Sequence, residues 1–305
     1  MLPKLLQPAL DGVLKRVHRS RLYYERYNNT LPLGINRAYE QYARECSADY
    51  TRRNGARTFA PSPLFSNAAT SIQGAFPADK ARAYSATISQ LIERHDPAVI
   101  HPKDYDDLQM SVREPLKTLG TGCMDVFRSL SVHEALLRFF RGDYRVEWVN
   151  VFRSIPAQRA VSSWLWHSDS FPPHTCKIFL HLTPVDADTG ATEFMNLEDT
   201  MAYRRAGYFG QHLEERFKDL EEFGKEHGIP YRPFHFDAQP GDVTLFDTNF
   251  FHCAVSPRKA FRDVVQFMLV PNPIPWDEQF ARDGIELLKQ VTGGYRHDPR
   301  RPAAV

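Results

Sequence analysis

Residues 164–171 read WLWHSDSF. A histidine, His167, and a carboxylate, Asp169, stand two apart among Trp164, Trp166 and Phe171. In an extended segment, side chains i and i+2 leave the same face. Imidazole and carboxylate then project together into apolar surroundings, where a carboxylate needs a partner. His252, in TNFFHCAVSP (248–257), is the answering residue; it lies 85 positions on (252 minus 167). Two imidazoles and one carboxylate, ordered H-x-D…H, form the facial set that holds Fe(II) and leaves positions open. No thiolate joins them, which argues against zinc and iron–sulfur chemistry. The plain alternative is a structural hydrogen-bonded cluster. Arg262, ten residues after His252 in FRDVVQFMLV (261–270), favours the metal reading. An inward Arg on the next strand grips a carboxylate bidentately, as a chelating co-substrate such as 2-oxoglutarate requires at its far end. Asp263 is a poor partner for it, because adjacent residues of a strand face opposite ways.

Working outward, residues 145–271 hold short runs rich in β-formers: YRVEWVNVF, SSWLWHS, CKIFLHLTPV, GDVTLFDT and RDVVQFMLV. The turn sequences DADTG and QPGD separate several of them. Many short strands without alternating helices predict an antiparallel sandwich or barrel. Residues 1–141 read as helix and loop. Apolar spacing predicts a helix from Ala81 to His95, ended by Asp96-Pro97. Ser131 and Glu134 read as the capping box of a second helix that stops at Gly142. Residues 272–305 read as a helix and a polar tail. The class is mainly β with α additions, an α+β chain forming a single domain over 1–305. One insertion, 204–235, is charged and reads as helical up to Gly228, which suits a lid or a substrate wall.

WHSD, LHLTPVDADTGATEF (180–194), QPGDVTLFDTNFFHCAVSP (239–257) and Arg262 follow one another in a familiar order. With these pieces the chain resembles the Fe(II)/2-oxoglutarate-dependent dioxygenases of the phytanoyl-CoA dioxygenase-like group. The resemblance spans about residues 145–271. It implies a double-stranded β-helix (a jelly roll) flanked by N- and C-terminal helices, with His167, Asp169 and His252 on the metal and Arg262 on 2-oxoglutarate. It implies dioxygen as the oxidant and C–H hydroxylation of a small-molecule or lipid-linked substrate. Desaturation or cyclisation on the same centre is the enzymatic alternative, and a jelly-roll binding or sensing protein the non-catalytic one. Asp169 argues against halogenation, because the related halogenases lack this carboxylate. Two departures touch the subfamily and so the substrate. MNLEDT (195–200) stands where many relatives carry Pro-Gly-Ser-His, and Cys253 and Ala254 follow the distal histidine.

Alternation sorts the remaining candidates. Lys177, Phe179, His181 and Thr183 share one face, while Cys176, Ile178, Leu180 and Leu182 share the other, uniformly apolar one. The second set should pack outward onto helices. Lys177 and Thr183 are then candidates for 2-oxoglutarate or substrate contact, and Asn150 is another. Gln266 follows Arg262 inward, and Glu147 should oppose Asn150. His174 and His181 read as hydrogen-bonding or lining groups rather than ligands, and Trp164 and Trp166 as packing.

The formal net charge of +1 gives no field that would attract nucleic acid. Cys46, Cys123, Cys176 and Cys253 are too scattered for a disulfide framework and fit free thiols in the cytoplasm. Residues 1–21 carry a helical apolar stripe with a basic flank. It suits peripheral contact with an anionic membrane, or a helix docked on its own barrel or in a homo-oligomer; the docked helix is the better fit.

Overall fold

The β-rich runs pair into two facing sheets. The computed structural model describes residues 33–101, 109–156, 162–169, 171–210, 212–217, 219–288 and 299–300. The amphipathic stripe of residues 1–21 lies outside them. The strands are β1 (Ala69–Ile72), β2 (Val99–Ile100), β3 (Gln109–Val112), β4 (Tyr144–Ser154), β5 (Cys176–His181), β6 (Thr192–Phe194), β7 (Val243–Asp247), β8 (His252–Ala254) and β9 (Arg262–Pro271). Seven form an antiparallel sheet in the order β1-β7-β5-β9-β4-β3-β2, and β6 pairs with β8 in a smaller one. The small sheet is extended by single bridges, Phe234 to Phe194 on one side and His167 to His252 on the other.

Period-two alternation gives the large sheet two working faces. Cys176, Ile178, Leu180 and Leu182 pack with Val265, Phe267 and Leu269 into the main core. The first long helix, α1, spans Leu33–Asn54. The core face of the sheet is covered by α2 (Ala78–Glu93), α3 (Leu130–Phe140) and α6 (Trp276–Asp283), which contribute Ile88, Leu136, Phe139 and Trp276. The opposite face carries Phe152, Phe179, Phe246 and Val264, which meet Phe194 of β6 and the partly buried Phe234. The site lies between these sheets.

A buried ion pair ties the large sheet to α2. Arg153 of β4 donates to both oxygens of Asp263 on β9, at 2.7 and 2.6 Å. Ser85 of α2 donates to the same carboxylate at 2.6 Å. Asp263 is thus spoken for on the helical side, and Arg262 beside it points the other way. Arg153→Leu strands a buried carboxylate. It should destabilise the chain by about 3–5 kcal/mol, read as a lowered urea midpoint.

Several sequence expectations need correction. The N-terminal part supplies β1, β2 and β3, so strands from both parts share one sheet. α2 starts at Ala78, not Ala81. α3 takes Ser129 as its N-cap, without a side-chain capping bond, and Arg141 rather than Gly142 occupies the left-handed C-terminal position. Glu134 pairs with Arg57 instead of closing a capping box. SSWLWHS forms a single 3-10 turn (Ser162–Trp164) and one bridge, not a strand. A bulge between Val146 and Trp148 cancels the odd-spacing inference for Glu147, which pairs with Arg145 at 3.0 Å.

The insertion also differs. Its helical content is the end of α4 (Leu197–Arg205), a 3-10 turn at Leu213–Glu215 and the short α5 (Glu221–His227), capped by left-handed Gly228. It is anchored rather than loose. Tyr208 and Leu220 are buried with Trp166, Met195 and Phe251, and Phe223, Ile229 and Tyr231 pack on that cluster. Apart from Phe223, these apolar residues lie outside its helices, so helical periodicity does not reveal them. These contacts bury part of the insertion against the segment that carries His167. Among the described residues no helix is long and apolar enough to cross a membrane, and all four cysteines are free and buried.

Candidate metal centre

Backbone pairing brings the three predicted ligands together. His167 N donates to His252 O at 3.1 Å, and His252 N to His167 O at 2.9 Å. The rings then lie 4.4 Å apart between centroids. Asp169 N donates to Thr248 O at 3.0 Å, which turns the carboxylate toward both imidazoles. Ligand atoms of His167, Asp169 and His252 all lie within 4.8 Å of one another. The Asp169 oxygens are 3.7 Å from His167 Nε2 and 3.6 Å from His252 Nε2.

The tautomers follow from the other ring nitrogens. His167 Nδ1 is 2.7 Å from Leu165 O, and His252 Nδ1 is 2.9 Å from Phe250 O. A carbonyl can only accept, so both Nδ1 atoms carry the proton. Both Nε2 lone pairs are left facing Asp169. Burial holds both imidazole pKa values below the usual range, His167 well below, so both rings are neutral. Neutral imidazole held by a carbonyl is the state a metal ligand needs. At Asp169 burial acts to raise the pKa, but Lys177 above all, then His252 and His167, hold it at about 2.

Lys177 therefore has a nearer partner than the sequence suggested. Its Nζ sits 2.7 Å from Asp169 Oδ2, and 5.1 Å from the centre of the Phe171 ring. Cross-strand register sets the rest of this face. Trp148, Met268, Lys177 and Phe246 lie in one row, and Asn150, Gln266, Phe179 and Thr244 in the next. Asn150 pairs with Gln266 in this row. Thr183 lies past the end of β5, half-buried, and its hydroxyl accepts from Asp263 N at 3.1 Å. His181 is a hydrogen-bonding residue; its Nε2 is 2.9 Å from Thr244 Oγ1. His174 pairs with Glu40 at 3.3 Å, apart from the ligands. Trp164 and Trp166 are buried, and Trp166 Nε1 donates to Tyr231 at 3.3 Å.

Arg262 is the unusual charge. It is only 1% exposed. Its Nη1 donates to Gly190 O and, at 3.2 Å, to Thr192 Oγ1, while Nε has no partner. Among the described residues no carboxylate neutralises it, and burial lowers its pKa to about 10. Its place relative to the ligands comes from β6. Thr192 meets Arg262, and Phe194, two residues on, pairs with His252. Two residues of strand span about 7 Å. Phe194 and Phe246 stand 6.5 and 5.1 Å from the His252 ring, walling the space between.

Gly210 closes the centre from the insertion side. Its φ is +60°, and a Cβ there would lie 2.6 Å from Trp166 O and 2.9 Å from His167 Cα. Gly210→Ala should push the His167 segment away from β8. Its Kd for Ni(II) should rise at least about tenfold, the scale of lost outer-shell support, with the unfolding midpoint lowered. Equal metal affinity in the variant would show that the segment absorbs the added methyl.

No family model matches the chain, and no curated protein matches it. Solved structures with similar coordinates include SnoK, a non-heme alpha-ketoglutarate-dependent carbocyclase from nogalamycin biosynthesis. It is 15% identical, with 78% of this chain and 89% of that one covered and a TM-score of 0.49. EctD from S. alaskensis with bound Fe is 13% identical over 68% of this chain and 74% of its own, at 0.48. HygX from Streptomyces hygroscopicus, with nickel and 2-oxoglutarate bound, is 13% identical over 69% and 85%, at 0.43.

Proposed function

We propose that the chain is an Fe(II)- and 2-oxoglutarate-dependent oxygenase that hydroxylates a C–H bond of a small organic substrate. The observation that carries this reading is one pairing. Two neutral imidazoles and a carboxylate converge on one point, and a buried guanidinium with no carboxylate partner among the described residues lies about two strand residues away. The donor set fits Fe(II), being imidazole and carboxylate with no thiolate. The orphaned Arg262 Nε fits the distal carboxylate of 2-oxoglutarate. The two facing sheets, with ligands on the small one and the clamp on the large one, fit a double-stranded β-helix.

Iron with 2-oxoglutarate, when bound, supplies dioxygen activation coupled to release of succinate and carbon dioxide. The chain supplies the geometry. His167 and His252 offer Nε2, and Leu165 O and Phe250 O hold the rings. Asp169 stays ionised, with Lys177 against its second oxygen. Phe179, Phe194 and Phe246 exclude water from the clamp side. Asn150 and Gln266 place polar side chains on the inner face, within reach of co-substrate or substrate.

Anaerobic addition of Fe(II) and 2-oxoglutarate should give the weak visible charge-transfer band of the chelate, followed by succinate once air is admitted. A protein that binds Fe(II) yet shows neither band nor 2-oxoglutarate-dependent oxygen uptake would overturn the proposal.

A further inference from the structure

We propose that Arg216 holds an anionic group of the primary substrate, a carboxylate or a phosphate, at the mouth of the metal centre. The proposal rests on the oxygenase reading only in taking Arg262 to be reserved for the co-substrate.

The insertion returns to the site as the next backbone beyond the ligand segment. Trp166 N donates to Phe217 O at 2.8 Å, and His167 on the same segment bridges to His252. Arg216 is extended, with φ −83° and ψ 134°. Its side chain and that of Phe217 therefore leave opposite faces. Phe217 stacks on Tyr208, with centroids 5.3 Å apart and planes at 20°. Tyr208 belongs to the cluster around Trp166, on the side away from the ligands. Trp166 takes that side and His167 the other, so Arg216 leaves with His167.

Two further contacts agree. Arg216 Nε donates to Gly210 O at 3.0 Å, and Gly210 abuts His167 Cα. Burial lowers the Arg216 pKa while Asp169 opposes that shift, and Arg216 in turn helps to depress both His167 and His252.

Among the described residues, three cations thus face the site. Lys177 is held by Asp169, and Arg262 is buried beside β6. Arg216 is half-buried and the most exposed of the three, so an entering molecule meets it first. A guanidinium offers five N–H donors in a planar fork that matches carboxylate and phosphate. Leu213 lies three residues earlier in the adjoining 3-10 turn, hence on the same side, and is 54% exposed. It offers an apolar surface to the body of such an anion.

The test uses the full metal-free chain and calorimetric titration. The probes are phenyl phosphate and benzoate, with benzyl alcohol as the neutral control. The wild type should bind one or both anions in preference to the alcohol, and which one names the group. Arg216→Gln should weaken anion binding at least about tenfold, the scale of one lost charge-assisted contact. Leu213→Asp, at an exposed position that leaves the fold intact, should weaken it by repulsion. Anion binding unchanged in both variants, or benzyl alcohol bound as tightly as the anions, would overturn the proposal. Binding of 2-oxoglutarate to the Ni(II)-loaded wild type checks the co-substrate reading separately. Its failure alongside Arg216-dependent anion binding would sink the oxygenase assignment and leave this one standing.

Discussion

Asp169→Ala is expected to lose Fe(II) binding by more than about 100-fold, and turnover with it. Removing even an outer-shell partner of a metal ligand weakens binding about 10- to 100-fold, and Asp169 itself carries the ligand charge. The substitution also has a structural effect. Lys177 is buried, and Asp169 is its ion-pair partner at 2.7 Å. Without the carboxylate an ammonium is left in an aromatic pocket beside Phe171. The empty variant should therefore lose about 1–3 kcal/mol in urea unfolding. Adding Lys177→Met should restore most of that stability and none of the metal affinity, so the cycle separates the two roles. A single variant that still decarboxylated 2-oxoglutarate at the wild-type rate would remove Asp169 from the centre.

Which parts of this site were legible depends on what sets each one. The H-x-D pair and the inward Arg262 follow from two-residue alternation, which is local and survives any tertiary context. So does the outward face of β5, from Cys176 to Leu182. The distal ligand is read from the order H-x-D…H, two imidazoles and one carboxylate being the set that suits Fe(II). What escaped was set by contacts distant in sequence. Lys177 was legible as inward, but its pairing with Asp169 depends on how the 167–169 segment lies over β5. Arg216 sits in a stretch of LEERF that reads as ordinary charged surface, and only the hydrogen bond from Trp166 to Phe217 brings it to the ligands. β1 and β2 are too short to show a period, and they exist because β7 and β3 offer edges to pair with. The bulge at Glu147 shifts alternation by one residue, which composition cannot signal.

Arg262→Leu should separate co-substrate binding from metal binding. In the wild type the guanidinium is desolvated and has no carboxylate partner among the described residues, so the distal carboxylate of 2-oxoglutarate would supply one. Truncating one side of a buried charge pair removes about 2–5 kcal/mol, roughly 30- to several-thousand-fold in affinity. The 2-oxoglutarate Kd of the Ni(II)-loaded variant should rise by that factor, while its Kd for Ni(II) alone stays within about threefold. Lys177 cannot take over the clamp, because Asp169 holds it at the metal end of the face. The fold should tolerate the change well. Removing Arg262 strands no carboxylate, and an apolar side chain in place of an uncompensated buried cation is often neutral or stabilising. The urea midpoint of the empty variant should therefore match or exceed the wild-type value, in contrast to Arg153→Leu on the opposite face of the same sheet. A variant that kept full 2-oxoglutarate affinity would move the clamp to another residue, and Asn150 with Gln266 would be the next groups to replace.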